Sequence, residues 1–79
     1  MDKIIKTYII FEKEFEDFWN AKNKQKENLG YLKYERIGRF KHWCWYQYQD
    51  IRMSPGCIQE VRDTQKLLKN KQTHTNSQN

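Results

Sequence analysis

The sequence has few of the residues that usually interrupt secondary structure, with one proline and three glycines among 79 residues. It also has no run approaching the roughly 18–20 apolar residues that a membrane-spanning helix needs. Residues 4–11 are apolar, but Lys6 interrupts them, and acidic residues follow where a signal peptide would have small residues and a cleavage site. We therefore expect a cytoplasmic protein without a membrane partner.

Small apolar residues are also scarce, since Ala21 is the single alanine. The twelve aromatic residues equal the combined number of Ile, Leu and Val, so the core must be built largely from rings. Twelve aromatics are too many for a fully disordered chain. We expect one compact domain over 1–69 and a disordered polar tail over 70–79, which contains no apolar residue.

Negative charge is scarce in the second part of the chain. Residues 1–28 carry six acids and six bases, whereas residues 29–53 have a net charge of +3 and residues 54–79 a net charge of +2. The overall charge of +5 therefore arises entirely after residue 28. This excess allows an anionic partner without requiring one.

The first segment shows a helical spacing of apolar residues. Large apolar side chains recur at intervals of four, three, four and three residues: Ile4, Tyr8, Phe11, Phe15 and Phe18. The many β-branched residues in 3–11 leave an alternative, a strand over 3–11 followed by a helix over 12–28. No Gly, Pro, Asn or Ser separates the two halves, so we predict one N-terminal helix that ends before Gly30.

The aromatic segment 31–49 is typical of a β-hairpin, with Gly38 and Arg39 as a two-residue turn. The resulting register pairs Ile37 with Phe40 and, at the far end, Tyr31 with Tyr46. One face then holds Leu32, Tyr34, Trp43 and Trp45, with Arg36 and Lys41 near the turn, and the other holds Tyr31, Ile37, Phe40, Tyr46 and Tyr48. We expect the first face to be core, because large aromatics in a small domain are usually buried.

A C-terminal helix is predicted from Ser54 as the capping residue and Pro55 at the first helical position, and it should end near Lys69. Its apolar face would hold Cys57, Ile58, Val61, Gln65 and Leu68. The predicted fold is therefore α+β, with an N-terminal helix, a β-hairpin and a C-terminal helix. The alternative is a β-α-β-β-α order with a strand at 3–11.

Catalytic and metal-binding patterns are weak. His42, Cys44, Cys57 and the distant His74 lack the paired spacing of zinc sites, and the two cysteines are expected to be free thiols. Glu35 opposite His42 is more typical of an ordinary cross-strand pair than of an acid–base pair. Cys57 in the first turn of a helix is more typical of a packing residue than of a reactive thiol. We expect no enzyme, no metal and no cofactor.

Two binding functions fit the composition. The first is a small protein-interaction or accessory subunit that docks on a protein partner, or on a second copy in a homo-oligomer, through an aromatic hairpin surface. The alternative is a basic nucleic-acid-binding accessory protein that uses the same hairpin. The candidate binding residues are Tyr31, Arg36, Arg39, Phe40, Lys41, Tyr46, Tyr48 and Arg52.

Overall fold

The aromatic and β-branched residues that dominate the chain up to residue 47 form strands. The computed structural model of the protein describes residues 2–77 and the side chains of residues 2–71. The elements are β1 (Lys3–Ile5), β2 (Ile9–Phe15), β3 (Phe18–Asn23), β4 (Asn28–Ile37), β5 (Phe40–Gln47) and α1 (Pro55–Ser77). The fold is an antiparallel sheet followed by one helix.

Each strand pairs with the next one along the chain, so the sheet has the order β1-β2-β3-β4-β5. The turns between strands are short, because a tight turn suffices to join antiparallel neighbours. Phe15 pairs with Phe18 across the turn between β2 and β3, and Ile37 pairs with Phe40 across the next tight turn. This simple up-and-down order leaves β1 and β5 as the two edges of the sheet.

The prediction of an N-terminal helix is wrong, and so is the alternative helix over 12–28. Residues 3–23 instead form β1, β2 and β3. Burial along β2 and β3 follows a period of two, with Ile9 and Phe11 buried on β2 and Trp19 and Ala21 buried on β3. The alternative strand at 3–11 is also interrupted, because a turn separates β1 from β2.

The prediction of an N-terminal helix failed because the turns between β1 and β4 contain no glycine or proline to mark them. The turn between β2 and β3 consists of Glu16 and Asp17, and the turn after β3 places Lys26 at a φ of 68°. The Asn23 side chain accepts hydrogen bonds from the backbone N–H groups of Gln25 and Glu27 and so stabilises that second turn. Gly30, which was predicted to follow a helix, lies inside β4.

The predicted β-hairpin is confirmed residue by residue. β4 and β5 pair in the predicted register, from Ile37 with Phe40 at the turn to Tyr31 with Tyr46 at the far end. Gly38 has a φ of 65°, a left-handed conformation that glycine adopts without steric cost. The hairpin is therefore the part of the fold that local sequence specified best.

The C-terminal helix is confirmed at its start. The backbone N–H of Cys57 donates to the Ser54 hydroxyl over 3.3 Å, which is the predicted cap. The helix continues past the predicted end near Lys69 to Ser77, and the end of the predicted tail over 70–79 lies outside the described residues. Within the described chain, no helix is both long enough and apolar enough to span a membrane.

Helix α1 covers one face of the sheet, which we call the inner face. The buried apolar residues are Ile9, Phe11, Trp19, Ala21, Leu29, Leu32, Trp43, Val61 and Leu68. Val61 and Leu68 come from α1, as predicted, whereas Ile58 is exposed and Thr64 is fully buried. The first face of the predicted hairpin is therefore core, and the opposite or outer face of the sheet carries no covering element among the described residues.

Glu60 fixes helix α1 to the sheet at the connection between β1 and β2. Its buried carboxylate accepts hydrogen bonds from the backbone N–H groups of Tyr8 and Ile9, at 3.0 Å from Oε1 in both cases. At the β5 edge, the Gln65 side chain donates to the carbonyl of Trp43 over 2.7 Å. These two contacts hold α1 near both edges of the sheet, at the β1–β2 connection and at β5.

Candidate functional site

An uncovered row of aromatic side chains crosses the outer face of the sheet. The aromatic row consists of Phe15, Phe18, Tyr31, Tyr46 and Tyr48. A register irregularity between Lys13 and Phe15 turns Phe15 to this face, away from the side of Ile9 and Phe11. The row therefore spans from the end of β2 to the residue that follows β5.

The three central rings of the aromatic row stack on one another. The Phe18 and Tyr31 centroids are 4.9 Å apart with an interplanar angle of 17°, and those of Tyr31 and Tyr46 are 5.0 Å apart at 23°. Tyr31 thus has a neighbouring ring on either side, because β4 lies between β3 and β5. The faces of the Tyr31 ring are therefore occupied by neighbouring rings, whereas Phe15 meets Phe18 edge-on at an interplanar angle of 77°.

The lysines beside the aromatic row are paired with acids. Glu12 contacts Lys3 at 3.4 Å and Lys22 at 3.5 Å, and Glu35 contacts Lys33 at 3.5 Å. These partly exposed pairs contribute little to stability. They do, however, leave the outer face nearly neutral around an apolar strip.

Glu35 also accepts a hydrogen bond from the Tyr46 hydroxyl, whereas its cross-strand neighbour His42 is not among its described partners. This hydrogen bond, followed by burial and the Glu35 charge, raises the pKa of Tyr46 to about 12. Burial, followed by the Glu35 charge, also raises the pKa of the Cys44 thiol. The Cys44 sulfur is therefore kept protonated, which is the less reactive form.

The Tyr46 titration provides a test of this contact. We expect Glu35→Gln to lower the pKa of Tyr46 from about 12 toward the usual value of about 10. Because the pKa of Tyr46 is raised in the folded protein, its hydrogen bond to Glu35 stabilises the fold below about pH 10. This contribution to stability is lost as the pH rises through about 12. A ¹³C NMR titration of the Tyr46 ring measures this, with Glu27→Gln as control. An unchanged Tyr46 midpoint in Glu35→Gln would show that the contact is absent.

A second feature is a groove between the tip of the hairpin and helix α1, where residues from both faces of the hairpin contribute. The groove has a volume of about 660 Å³. Its lining residues are Tyr34, Arg39, Phe40, Lys41, His42, Trp43, Arg62, Gln65, Lys66 and Lys69. We call this the cationic groove, because its charged residues are all basic.

Aromatic rings form part of the wall of the cationic groove. The Tyr34 and Trp43 ring centroids are 5.1 Å apart, and Lys41 Nζ lies 5.6 Å from the centre of the Tyr34 ring. The Trp43 indole N–H is buried and has no hydrogen-bond partner in the described structure. Phe40, at the hairpin tip, is 69% exposed and is therefore the most accessible ring of the wall.

The predicted binding residues fall into two separate groups. Tyr31, Tyr46 and Tyr48 belong to the aromatic row on the outer face. Three others, Arg39, Phe40 and Lys41, line the cationic groove. Of the remaining two, Arg36 pairs with Lys41 in the hairpin and Arg52 lies in the segment before α1, and neither lines the groove.

Several residues of these surfaces could not be selected from sequence. Phe15 and Phe18 were predicted to face a helical core, because their spacing resembled a helix. Arg62, Lys66 and Lys69 were treated only as part of the overall charge. Their spacing of four and three residues was the available signal, since it places all three on one side of a helix.

The described residues contain no group of three or more His, Cys, Asp or Glu side chains that could hold a metal ion. His42 and Cys44 share the outer face, whereas Cys57 packs against the core on the inner side. His74 lies outside the residues whose side chains are described. Cys44 and Cys57 are both free thiols.

Comparison with known proteins adds no further assignment. No family model matches the chain, and neither the curated proteins nor the solved structures gave a significant match.

Proposed function

We propose that this chain is a non-enzymatic interaction protein or accessory subunit that docks on a protein partner through the aromatic row. The observation that carries the proposal is the uncovered stack of Phe18, Tyr31 and Tyr46 with exposed rings at its ends. Aromatic residues are enriched in protein interfaces, where they supply much of the binding energy. The core does not require these rings, because it lies on the opposite face of the sheet.

The charge pattern supports a protein rather than a phosphate backbone as the partner of this face. Lys3, Lys22 and Lys33 are already paired with acids, so few cations remain there to neutralise phosphates. The stacked rings also leave no free face on Tyr31 for a nucleic-acid base. An apolar strip with a neutral polar rim is typical of protein interfaces.

The proposal also concerns the oligomeric state, because a second copy of the chain is one form of protein partner. Sedimentation of the purified chain distinguishes self-association from binding to a different protein. A monomer that needs another protein and a homo-oligomer both agree with the proposal, provided that the aromatic row is the contact surface.

Paired substitutions test whether the aromatic row binds a partner. We expect Phe15→Ser combined with Tyr46→Ser to weaken self-association or co-purification of a stoichiometric partner at least tenfold, because two of the three exposed rings of the row are lost. Leu67→Ser is a matched control, since Leu67 on α1 and Tyr46 are each 38% exposed. A wild-type chain that stays monomeric and retains no partner, or equal losses in both variants, would contradict the proposal.

A further inference from the structure

The cations of the groove are arranged along both of its walls. Arg62, Lys66 and Lys69 lie on one side of α1, and at a rise of 1.5 Å per residue they span about 10 Å. Arg39 and Lys41 face them from the hairpin tip. The groove therefore offers several positive charges to one elongated ligand, which a single exposed lysine cannot do.

The groove cations differ from the other lysines of the β-strands. Among the described residues, no acidic side chain lines the groove, and none of its five lysines and arginines forms an ion pair. Lys3, Lys13, Lys22 and Lys33, by contrast, all contact acids. Arg62 and Lys66 lie four residues apart on α1, and like charges at this spacing destabilise a helix. A bound anion would relieve this repulsion.

The groove also has the shape and the wall of a ligand site. Its volume of about 660 Å³ lies within the range of small-molecule and cofactor sites, roughly 300–1,000 Å³. Phe40 and Tyr34 supply rings beside the cations, and basic and aromatic side chains together suit a ligand that carries both a planar ring and negatively charged phosphates. A wall of this kind favours a nucleotide over a simple anion.

We infer that the cationic groove binds the phosphate and base of a nucleotide, either as a free nucleotide or as part of a single-stranded nucleic acid. The phosphates contact the helix cations and Arg39, and the base packs against Phe40. None of the residues of the aromatic row lines this site, although Phe40 and His42, which do, belong to the outer face of the hairpin by their register. The site therefore does not depend on the protein-docking function, and either can fail without the other.

Binding of ADP, pyrophosphate and a fluorescein-labelled dT12 strand to the full-length chain tests the inference. We expect ADP or dT12 to bind, and ADP to bind at least tenfold more tightly than pyrophosphate because the base adds contact with the aromatic wall. Binding should weaken steeply with salt, with a slope of about −0.7 per phosphate contact for a single strand.

Three charge reversals identify the site. Lys66→Glu changes the helix wall and Arg39→Glu changes the hairpin wall, and each should weaken binding at least tenfold. Lys24→Glu is the matched control, because it is exposed in the turn after β3 and changes the charge by the same amount. Circular dichroism of each variant checks that the fold is retained.

The outcomes separate the two ligand sources. Binding of dT12 alone would identify the ligand as a nucleic-acid strand, and binding of ADP alone would identify it as a free nucleotide. Either result supports nucleotide binding in the cationic groove. Absence of binding to both probes at low salt would overturn the inference. Where ADP binds, pyrophosphate binding that is as tight as ADP binding would also overturn the inference, and so would an equal loss of binding in Lys24→Glu.

Discussion

Replacing Gly30 with alanine is expected to lower the free energy of unfolding by about 3 kcal/mol or more, at the upper end of the cost of overpacking. A Cβ atom at this position would lie 2.2 Å from the Tyr46 carbonyl oxygen and 2.8 Å from the Trp45 indole. The first of these is a backbone atom of the paired strand, so the clash cannot be relieved by a rotamer change. For a domain of this size, thermal denaturation should show a loss of roughly 12 °C or more in Tm.

Gly38→Ala separates this steric effect from the conformational preference of glycine. Gly38 has a φ of 65° but nothing within 4 Å of its hypothetical Cβ atom, so we expect a cost of only about 1–2 kcal/mol. A Gly30→Ala variant that melts within a few degrees of the wild type would show that β4 and β5 do not approach as closely as described.

Removal of the Glu60 carboxylate is the second large effect. We expect Glu60→Ala to cost about 2–4 kcal/mol, because the backbone N–H groups of Tyr8 and Ile9 both lose a charged acceptor. The loss should be greatest at the connection between β1 and β2. Thermal denaturation gives the overall effect, and hydrogen exchange at the Ile9 amide should accelerate more than exchange at β4.

Two further variants define the cause of that loss. Glu60→Gln keeps one oxygen acceptor and should cost less than the alanine variant. Glu16→Ala removes an acid whose side chain is 95% exposed and should change stability by less than about 1 kcal/mol. Equal stability of Glu60→Ala and Glu16→Ala would mean that the buried contact does not join the helix to the sheet.

The elements specified by local sequence were predicted well. Gly38 in the turn fixed the register of the hairpin, and Ser54 followed by Pro55 marked the start of α1. Assignment of Trp43 and Trp45 to the core side followed from the alternation of side chains in a strand. In each case a few neighbouring residues contained the required information.

The N-terminal part of the fold depends on contacts that one local pattern does not reveal. The spacing of Tyr8, Phe11 and Phe15 agrees with a helix, yet pairing with β3 buries Phe11 and leaves Tyr8 and Phe15 exposed. Tertiary pairing therefore outweighed the apparent helical period, in agreement with the β-branched composition. The turns formed by charged residues also removed the usual boundary signal.

The candidate binding surfaces were only partly predictable for the same reason. Strand alternation already assigned Lys41 and Tyr46 to opposite faces of the hairpin, but the groove itself is formed only by the packing of α1 beside the hairpin tip. The helix cations join the groove through tertiary packing, so the hairpin alone could not indicate them. The result is two surfaces of different chemistry in place of one mixed surface.

Site-specific photo-crosslinking tests the proposed docking function most directly. Benzoylphenylalanine at position 46 lies in the aromatic row, whereas the same group at position 59 lies on the exposed side of α1. We predict that position 46 gives one discrete protein adduct in the host cells, either with a second copy or with a partner, and that position 59 does not. No adduct at position 46, or the same adducts from both positions, would contradict docking through the aromatic row.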